Sequence, residues 1–76
     1  MSELPQVPGE RLVRALEKAG FYVKGKRGSH VIMVHKKDLL RRAVVPVHGS
    51  KPIRPGTFRA ILKGAKLSVE EIRNLI

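Results

Sequence analysis

The stretch that decides the fold is residues 21–35, which read FYVKGKRGSHVIMVH. Its first six residues alternate in polarity, with Phe21 and Val23 on one side and Lys26 on the other, which is the period of a half-buried strand. Arg27-Gly28-Ser29 has the composition of a turn. The last six residues are rich in β-branched side chains, which favour a second strand. The whole stretch therefore predicts a β-hairpin.

A helix is predicted immediately before the hairpin. From Glu10 onward, apolar residues recur at the spacing of an amphipathic helix, and Gly20 follows as a C-terminal stop. The apolar positions are Leu12, Ala15, Leu16 and Ala19. Residues 1–9 contain two prolines and a glycine without sustained periodicity, so they predict an extended lead-in that ends at Pro8-Gly9.

One more strand and two more helices are predicted after the hairpin. Residues 43–47 read as a third strand, and Pro46 confines it to a sheet edge or brings it to an end, because proline has no N–H to donate. Pro55 opens a second helix. Ser68 and Glu71 have the spacing of a capping box, which begins a short third helix.

The order of these elements predicts an α+β fold: a helix, a three-stranded antiparallel sheet, a helix and a short C-terminal helix. A meander sheet with both main helices on one face is the simplest way to bury the apolar stripes. A chain of 76 residues has enough apolar surface for one core, so residues 1–76 are predicted to form a single domain.

Charge is the strongest global signal in the composition. Lys and Arg number 16 against 6 Asp and Glu, which gives a formal net charge of +10. A polyanion is the natural partner of such a chain. No apolar run approaches the roughly 20 residues that span a bilayer, and the N-terminus does not resemble a signal peptide. We therefore expect a cytoplasmic protein that binds RNA or DNA, with no membrane partner.

Histidine offers the clearest candidate for chemistry, because its side chain titrates near neutral pH. His30 follows the predicted turn and begins the second strand. By strand alternation it shares a face with Ile32 and Val34, while Val31 and Met33 point the other way. If the helices cover Val31 and Met33, His30 faces out from an open sheet, and the two apolar residues beside it form an exposed strip suited to a partner.

The other two histidines are weaker candidates. His35 abuts Lys36-Lys37 and is interpreted as a solvated strand end. His48 begins a loop, where it could touch phosphate or help in proton transfer. The spacing of the three histidines fits no familiar metal-ligand motif, and the absence of cysteine removes thiolate zinc sites, so no metal or other cofactor is predicted.

Basic residues surround the predicted loops in a pattern that suits phosphate binding. Lys26 and Arg27 precede the turn at Gly28-Ser29, while Arg59 and Lys63 lie outside the apolar stripe of the second helix. Any single one of these cations could simply solvate the surface. The chain lacks the aromatic-rich strands of an RNA-recognition motif, so recognition of backbone and shape is favoured.

Four segments together resemble one known family. They are Leu16 to Phe21, Lys26 to His30, Val45 to Gly49, and Pro55 to Lys63. In this combination the chain resembles the HicA mRNA interferase toxins of bacterial HicA-HicB toxin-antitoxin systems, from Arg11 to Ile76. The resemblance implies a fold like the double-stranded RNA-binding domain, catalysis by His30, cleavage of messenger RNA without a metal cofactor, and inhibition by a HicB-type antitoxin.

The expected mechanism is that neutral His30 takes a proton from a ribose 2′-hydroxyl, which then attacks the adjacent phosphate. Lys26, Arg27 or another lysine would stabilise the charge that develops. The group that protonates the leaving oxygen stays open between His48, a lysine and water. The main alternative is a non-catalytic module that binds double-stranded RNA, and a DNA-binding or ribosome-associated protein ranks below it.

Overall fold

The computed structural model describes residues 4–76 and contains, within them, three helices and three strands. The elements are α1 (Gly9–Lys18), β1 (Phe21–Arg27), β2 (His30–His35), β3 (Arg42–Pro46), α2 (Pro55–Ala65) and α3 (Val69–Arg73). The strands form an antiparallel sheet in the order β1-β2-β3. This arrangement confirms the predicted α+β layout, including the place of β3 at a sheet edge and its end at Pro46.

The segment before α1 takes part in the core, which the sequence did not lead us to expect. Val7 is buried, and its carbonyl oxygen accepts a 3.0 Å hydrogen bond from the N–H of Ile53. Pro8 forms an isolated bridge with Pro52, and Gly9 is already helical. Within the described residues, the predicted extended lead-in precedes α1, which already begins at Gly9, and it contributes Val7 to the core. Residues 1–3 of that prediction lie outside the described part.

Seven side chains fill the centre of the core, each less than 2 % exposed, and they come from both main helices, all three strands and α3. They are Phe21, Phe58, Leu12, Leu16, Met33, Ile72 and Val45. Full burial of side chains of this size stabilises the fold by about 1.5–3 kcal/mol each. The helices cover the face of the sheet that carries Val31 and Met33, as the alternation predicted.

A β-bulge in β1 changes the faces of its last residues. Val23 pairs with Met33, but the next pair is Gly25 with Ile32, so Lys24 is the extra residue. Because residues that pair directly share a face, the bulge moves Lys26 to the side of the sheet that the helices cover. The predicted alternation is wrong here, and Val23 is itself 39 % exposed because β1 is an edge strand.

The open face of the sheet also differs from its predicted appearance. Val34 is only 2 % exposed and Ile32 is half-buried, so they do not form the expected apolar strip. Val34 lies on the middle strand, directly between Tyr22 and Arg42, whose long side chains flank it. Exposed apolar surface on this face comes instead from Val44 of β3, at 50 %, and from Tyr22 of β1, at 39 %.

Helix α2 lies unusually close to the edge of the sheet. A Cβ atom added to Gly64 would stand 2.6 Å from the carbonyl oxygen of Arg42, which is closer than real Cβ atoms come to backbone. Glycine at this position therefore allows the helix backbone to rest on β3. Thr57, in the first turn of the same helix, lines a surface pocket together with Arg42 and Val44 of β3.

Candidate active site

The turn between β1 and β2 sets the position of His30. Gly28 has φ of 56°, a left-handed conformation that glycine adopts without steric cost. The strand β2 then begins at His30, whose direct partners are Arg27 on one side and Pro46 on the other. The His30 side chain is exposed on the face that the helices leave open. Because of the bulge, Arg27 rather than Lys26 shares that face.

His48 comes next to this turn because the pairing of β2 and β3 continues past Pro46. The N–H of Val47 donates a 2.8 Å hydrogen bond to the carbonyl oxygen of Ser29. One residue later, Nε2 of His48 lies 3.5 Å from the Ser29 hydroxyl oxygen. The rings of His30 and His48 stand edge to face, with centroids 6.3 Å apart and planes at 85°. Two of the three histidines therefore meet at one end of the sheet.

Both rings line an open cleft of about 640 Å³ between β3, the following loop and the start of α2. The lining residues are His30, Val44, Pro46, His48, Lys51, Pro52, Ile53, Arg54 and Thr57. They come from β2, β3, the loop after β3 and the first turn of α2. Lys51 and Arg54 contribute positive charge, and no carboxylate is among the lining residues.

Lys51, Arg54 and Thr57 are site residues that the sequence analysis missed. The loop that carries the two cations folds over the end of β3 because Ile53 is buried and hydrogen-bonds to the segment before α1. No periodicity marks that long-range contact in the sequence. The signal that could have found the cations is their position in the chain, between His48 and the helix start at Pro55.

The first turn of α2 adds hydrogen-bond donors at the same place. Arg54 is the N-cap, makes no side-chain capping bond and is followed by Pro55 in the first helical position. Its carbonyl oxygen accepts from the N–H of Phe58 at 2.8 Å. The N–H groups of Gly56 and Thr57 lie in the first turn, so they have no acceptor within the helix. The helix dipole also makes this end partly positive. An anion in the cleft would therefore meet both full charges and backbone donors.

The remaining predicted contact residues lie outside the cleft. Lys26 is exposed on the other side of the sheet, and Arg59 and Lys63 are exposed on α2 without lining the cleft. Gly28 and Ser29 form the turn itself. The structure thus brings Arg27, Ser29, His30 and His48 together and leaves three cations at a distance from them.

His35 was predicted to be a solvated strand end, but in the structure its side chain packs against other residues. Its ring meets the Phe21 ring edge to face, with centroids 5.0 Å apart, and its Nδ1 accepts a 3.1 Å hydrogen bond from the N–H of Lys37. His35 is half-buried as a result and does not line the cleft. Across residues 4–76, no three His, Asp or Glu side chains come together as a metal site would require.

The carboxylates of the described residues lie on α1, on α3 and in the loop between β2 and β3. They are Glu10, Glu17, Asp38, Glu70 and Glu71. Glu71 completes the predicted capping box, and the backbone N–H and hydroxyl of Ser68 lower the pKa of its carboxyl below the ordinary value of 4.5. None of these carboxylates lies in the cleft, so the field there is set by cations.

Comparison with known proteins gives a family assignment. Residues 9–67 match the family model described as HicA toxin of bacterial toxin-antitoxin. The match runs from the first residue of α1 to just past α2 and includes every residue that lines the cleft. The search of curated proteins finds no matching relative. No helix among residues 4–76 has the length and apolar character needed to cross a membrane.

Proposed function

The chain belongs to the HicA toxin family of bacterial toxin-antitoxin systems, and from this premise we propose that it is an endoribonuclease that cleaves messenger RNA with His30. The main support for the proposal is the cleft that His30 and His48 both line, with their ring centroids 6.3 Å apart. An exposed imidazole beside positively charged side chains suits proton transfer on a phosphodiester. Because the proposed substrate is messenger RNA, we propose that the protein acts in the cytoplasm.

The charge of the chain supports RNA as the substrate. A net charge of +10 favours a polyanion, and Lys51 and Arg54 line the same cleft as His30, so a phosphate bound there would meet both cations. Lys26, Arg59 and Lys63 are exposed and are proposed to contact backbone phosphates farther along the strand. Gly28 and Ser29 would approach the RNA through the turn beside His30.

The proposed chemistry begins with neutral His30, which takes the proton of a ribose 2′-hydroxyl. The resulting oxygen nucleophile attacks the adjacent phosphorus, and negative charge grows on the phosphoryl oxygens. Lys51, Arg54 and the N-terminal amides of α2 stabilise that charge, and Arg27 is available from the other side of His30. Because DNA has no 2′-hydroxyl, this route restricts cleavage to RNA. No step requires a metal ion.

The test compares wild-type protein with His30→Ala on a defined single-stranded RNA and on the DNA of the same sequence, in the presence of a chelator. The wild type should cut the RNA alone. General-base catalysis contributes about 10²–10⁴-fold, so the variant should be slower by that factor. The control is His35→Asn, a change on the same strand but outside the cleft, which should cut at the wild-type rate at temperatures where it is folded.

The same assay separates the rival function, a non-catalytic module that binds double-stranded RNA. That function predicts binding by both proteins and cleavage by neither. Equal cutting by wild type and His30→Ala would instead refute the role of His30. A HicB-type antitoxin is the proposed protein partner, and adding it in equimolar amount should suppress cleavage. Unchanged cleavage by the saturated complex would refute inhibition of this site.

A further inference from the structure

We propose that His48 is the general acid of the same reaction and donates the proton that the leaving 5′-oxygen requires. The inference rests on the proposed function and assigns a role that His30 cannot fill alone. A single imidazole that has just accepted a proton from the 2′-hydroxyl is on the attacking side of the phosphorus, whereas the leaving oxygen lies opposite. A second proton-transfer group in the same cleft removes this difficulty.

The distance between the two rings suits a general base and a general acid that act on the same phosphodiester. With centroids 6.3 Å apart, the imidazoles of His30 and His48 do not hydrogen-bond to each other. Each ring nitrogen has a further reach of about 2.6–3.2 Å to a hydrogen-bonding partner. Both rings can therefore contact one phosphodiester that enters the cleft between them, one at the attacking oxygen and one at the leaving oxygen.

The Ser29 hydroxyl orients the His48 ring. Its oxygen lies 3.5 Å from Nε2 of His48, and the backbone of Ser29 is itself tied to Val47. In the imidazolium form both ring nitrogens carry hydrogen, so Nε2–H can donate to Ser29 while Nδ1–H is available to the leaving oxygen. His48 and His30 are both exposed, so RNA can reach either ring from solvent.

The groups that face His48 come from three elements. They are His30 from β2, the Ser29 hydroxyl from the hairpin turn, and Lys51 and Arg54 from the loop before α2. Lys51 and Arg54 carry the same charge as an imidazolium, and no carboxylate lines the cleft, so His48 has no ion-pair partner among the lining residues before RNA binds. A phosphate that enters the cleft supplies the negative charge beside which the imidazolium is stabilised.

The reaction balances without a co-reactant. The 2′-hydroxyl proton passes to His30 as the bond between O2′ and phosphorus forms. The bond between phosphorus and O5′ breaks as His48 gives its proton to O5′. The products are a 2′,3′-cyclic phosphate and a 5′-hydroxyl, and exchange of protons with water returns the two histidines to their starting states.

The decisive experiment uses two RNA oligonucleotides that differ in one atom at the cleavage site. One has the normal 5′-oxygen, and the other has a bridging 5′-sulfur, whose thiolate leaves without needing a proton. His48→Ala should be slower than wild type by about 10²–10⁴-fold on the oxygen substrate and within about 10-fold of it on the sulfur substrate. His30→Ala should be slow on both substrates. His48→Gln, which retains a polar side chain beside Ser29, should behave as His48→Ala does.

The pH profile of kcat/KM gives a second readout that a structural role would not change. Wild type should show a bell, because the base must be neutral and the acid must be protonated. His48→Ala should keep the fall on the acidic side, where His30 becomes protonated, and lose the fall on the alkaline side. Thermal unfolding of each variant checks that the loop still folds.

Each other outcome overturns a defined part of the proposal. Equal slowing of His48→Ala on the oxygen and sulfur substrates, with the bell retained, would make His48 a structural residue. Wild-type rates for the variant on both substrates would remove it from the reaction. A wild type that cuts neither RNA would refute the proposed function itself, and the role of His48 with it.

Discussion

Replacing Gly64 by alanine tests how closely α2 rests on the sheet. The new Cβ atom would stand 2.6 Å from the carbonyl oxygen of Arg42, and backbone cannot rotate away as a side chain would. Overpacking of this kind costs about 1–3 kcal/mol. The gain in helix propensity from glycine to alanine offsets about 0.5–1 kcal/mol of that cost. We therefore expect Gly64→Ala to lower the free energy of unfolding by about 1 kcal/mol.

The matched control lies in the same helix. A Cβ atom added to Gly56 meets no atom within 4 Å, so Gly56→Ala should leave stability unchanged or raise it by about 0.4–1 kcal/mol. Thermal and urea unfolding followed by circular dichroism measure both variants. For a domain of this size, 1 kcal/mol corresponds to a change of about 4–8 °C in Tm. A Gly64→Ala protein at least as stable as Gly56→Ala would contradict the close packing of α2 on β3.

Two further predictions concern the cations of the cleft and the capping box. Lys51→Ala and Arg54→Ala should each reduce the slope of log affinity against log salt by about 0.7 and slow single-turnover cleavage at saturating protein. Arg59→Ala, outside the cleft, should change the slope and leave the cleavage rate unchanged. If it slowed cleavage as much as Lys51→Ala or Arg54→Ala does, the two cleft cations would have no special role in the reaction. Glu71→Gln should be less stable than wild type at pH 7, because the Ser68 hydrogen bonds favour the ionised carboxyl and lower its pKa. That stability is lost as the pH falls from 4.5 through the pKa of the folded state, so urea unfolding should show the difference vanish in acid; a difference that persists there would refute the charge-dependent cap.

The sequence contains enough local information to predict the elements of this fold. The β-branched run after Gly28-Ser29 predicted β2, and Pro46 predicted where β3 ends. The capping-box spacing of Ser68 predicted the start of α3. These features are local, so a pattern within a few residues is sufficient. The bulge in β1 was missed although Gly25, a glycine inside a strand pattern, is the usual signal for one.

Long-range contacts account for what the sequence did not predict at the site. The exposure of His30 followed from strand alternation, and its meeting with His48 follows from the pairing of Val47 with Ser29. The approach of Lys51 and Arg54, by contrast, depends on a contact between the loop after β3 and the segment before α1. That contact joins Val7 and Ile53, which are 46 positions apart, and leaves no periodic signal.

The ends of the cleaved RNA test the central claim most directly, because they record which oxygen attacked the phosphorus. Wild-type protein in chelator should leave a 2′,3′-cyclic phosphate on one fragment and a 5′-hydroxyl on the other. A single 2′-deoxy nucleotide at the cleavage site should abolish that cut and spare the others. Fragments that carry a 5′-phosphate, or a cut that survives the 2′-deoxy substitution, would contradict activation of the ribose hydroxyl by His30.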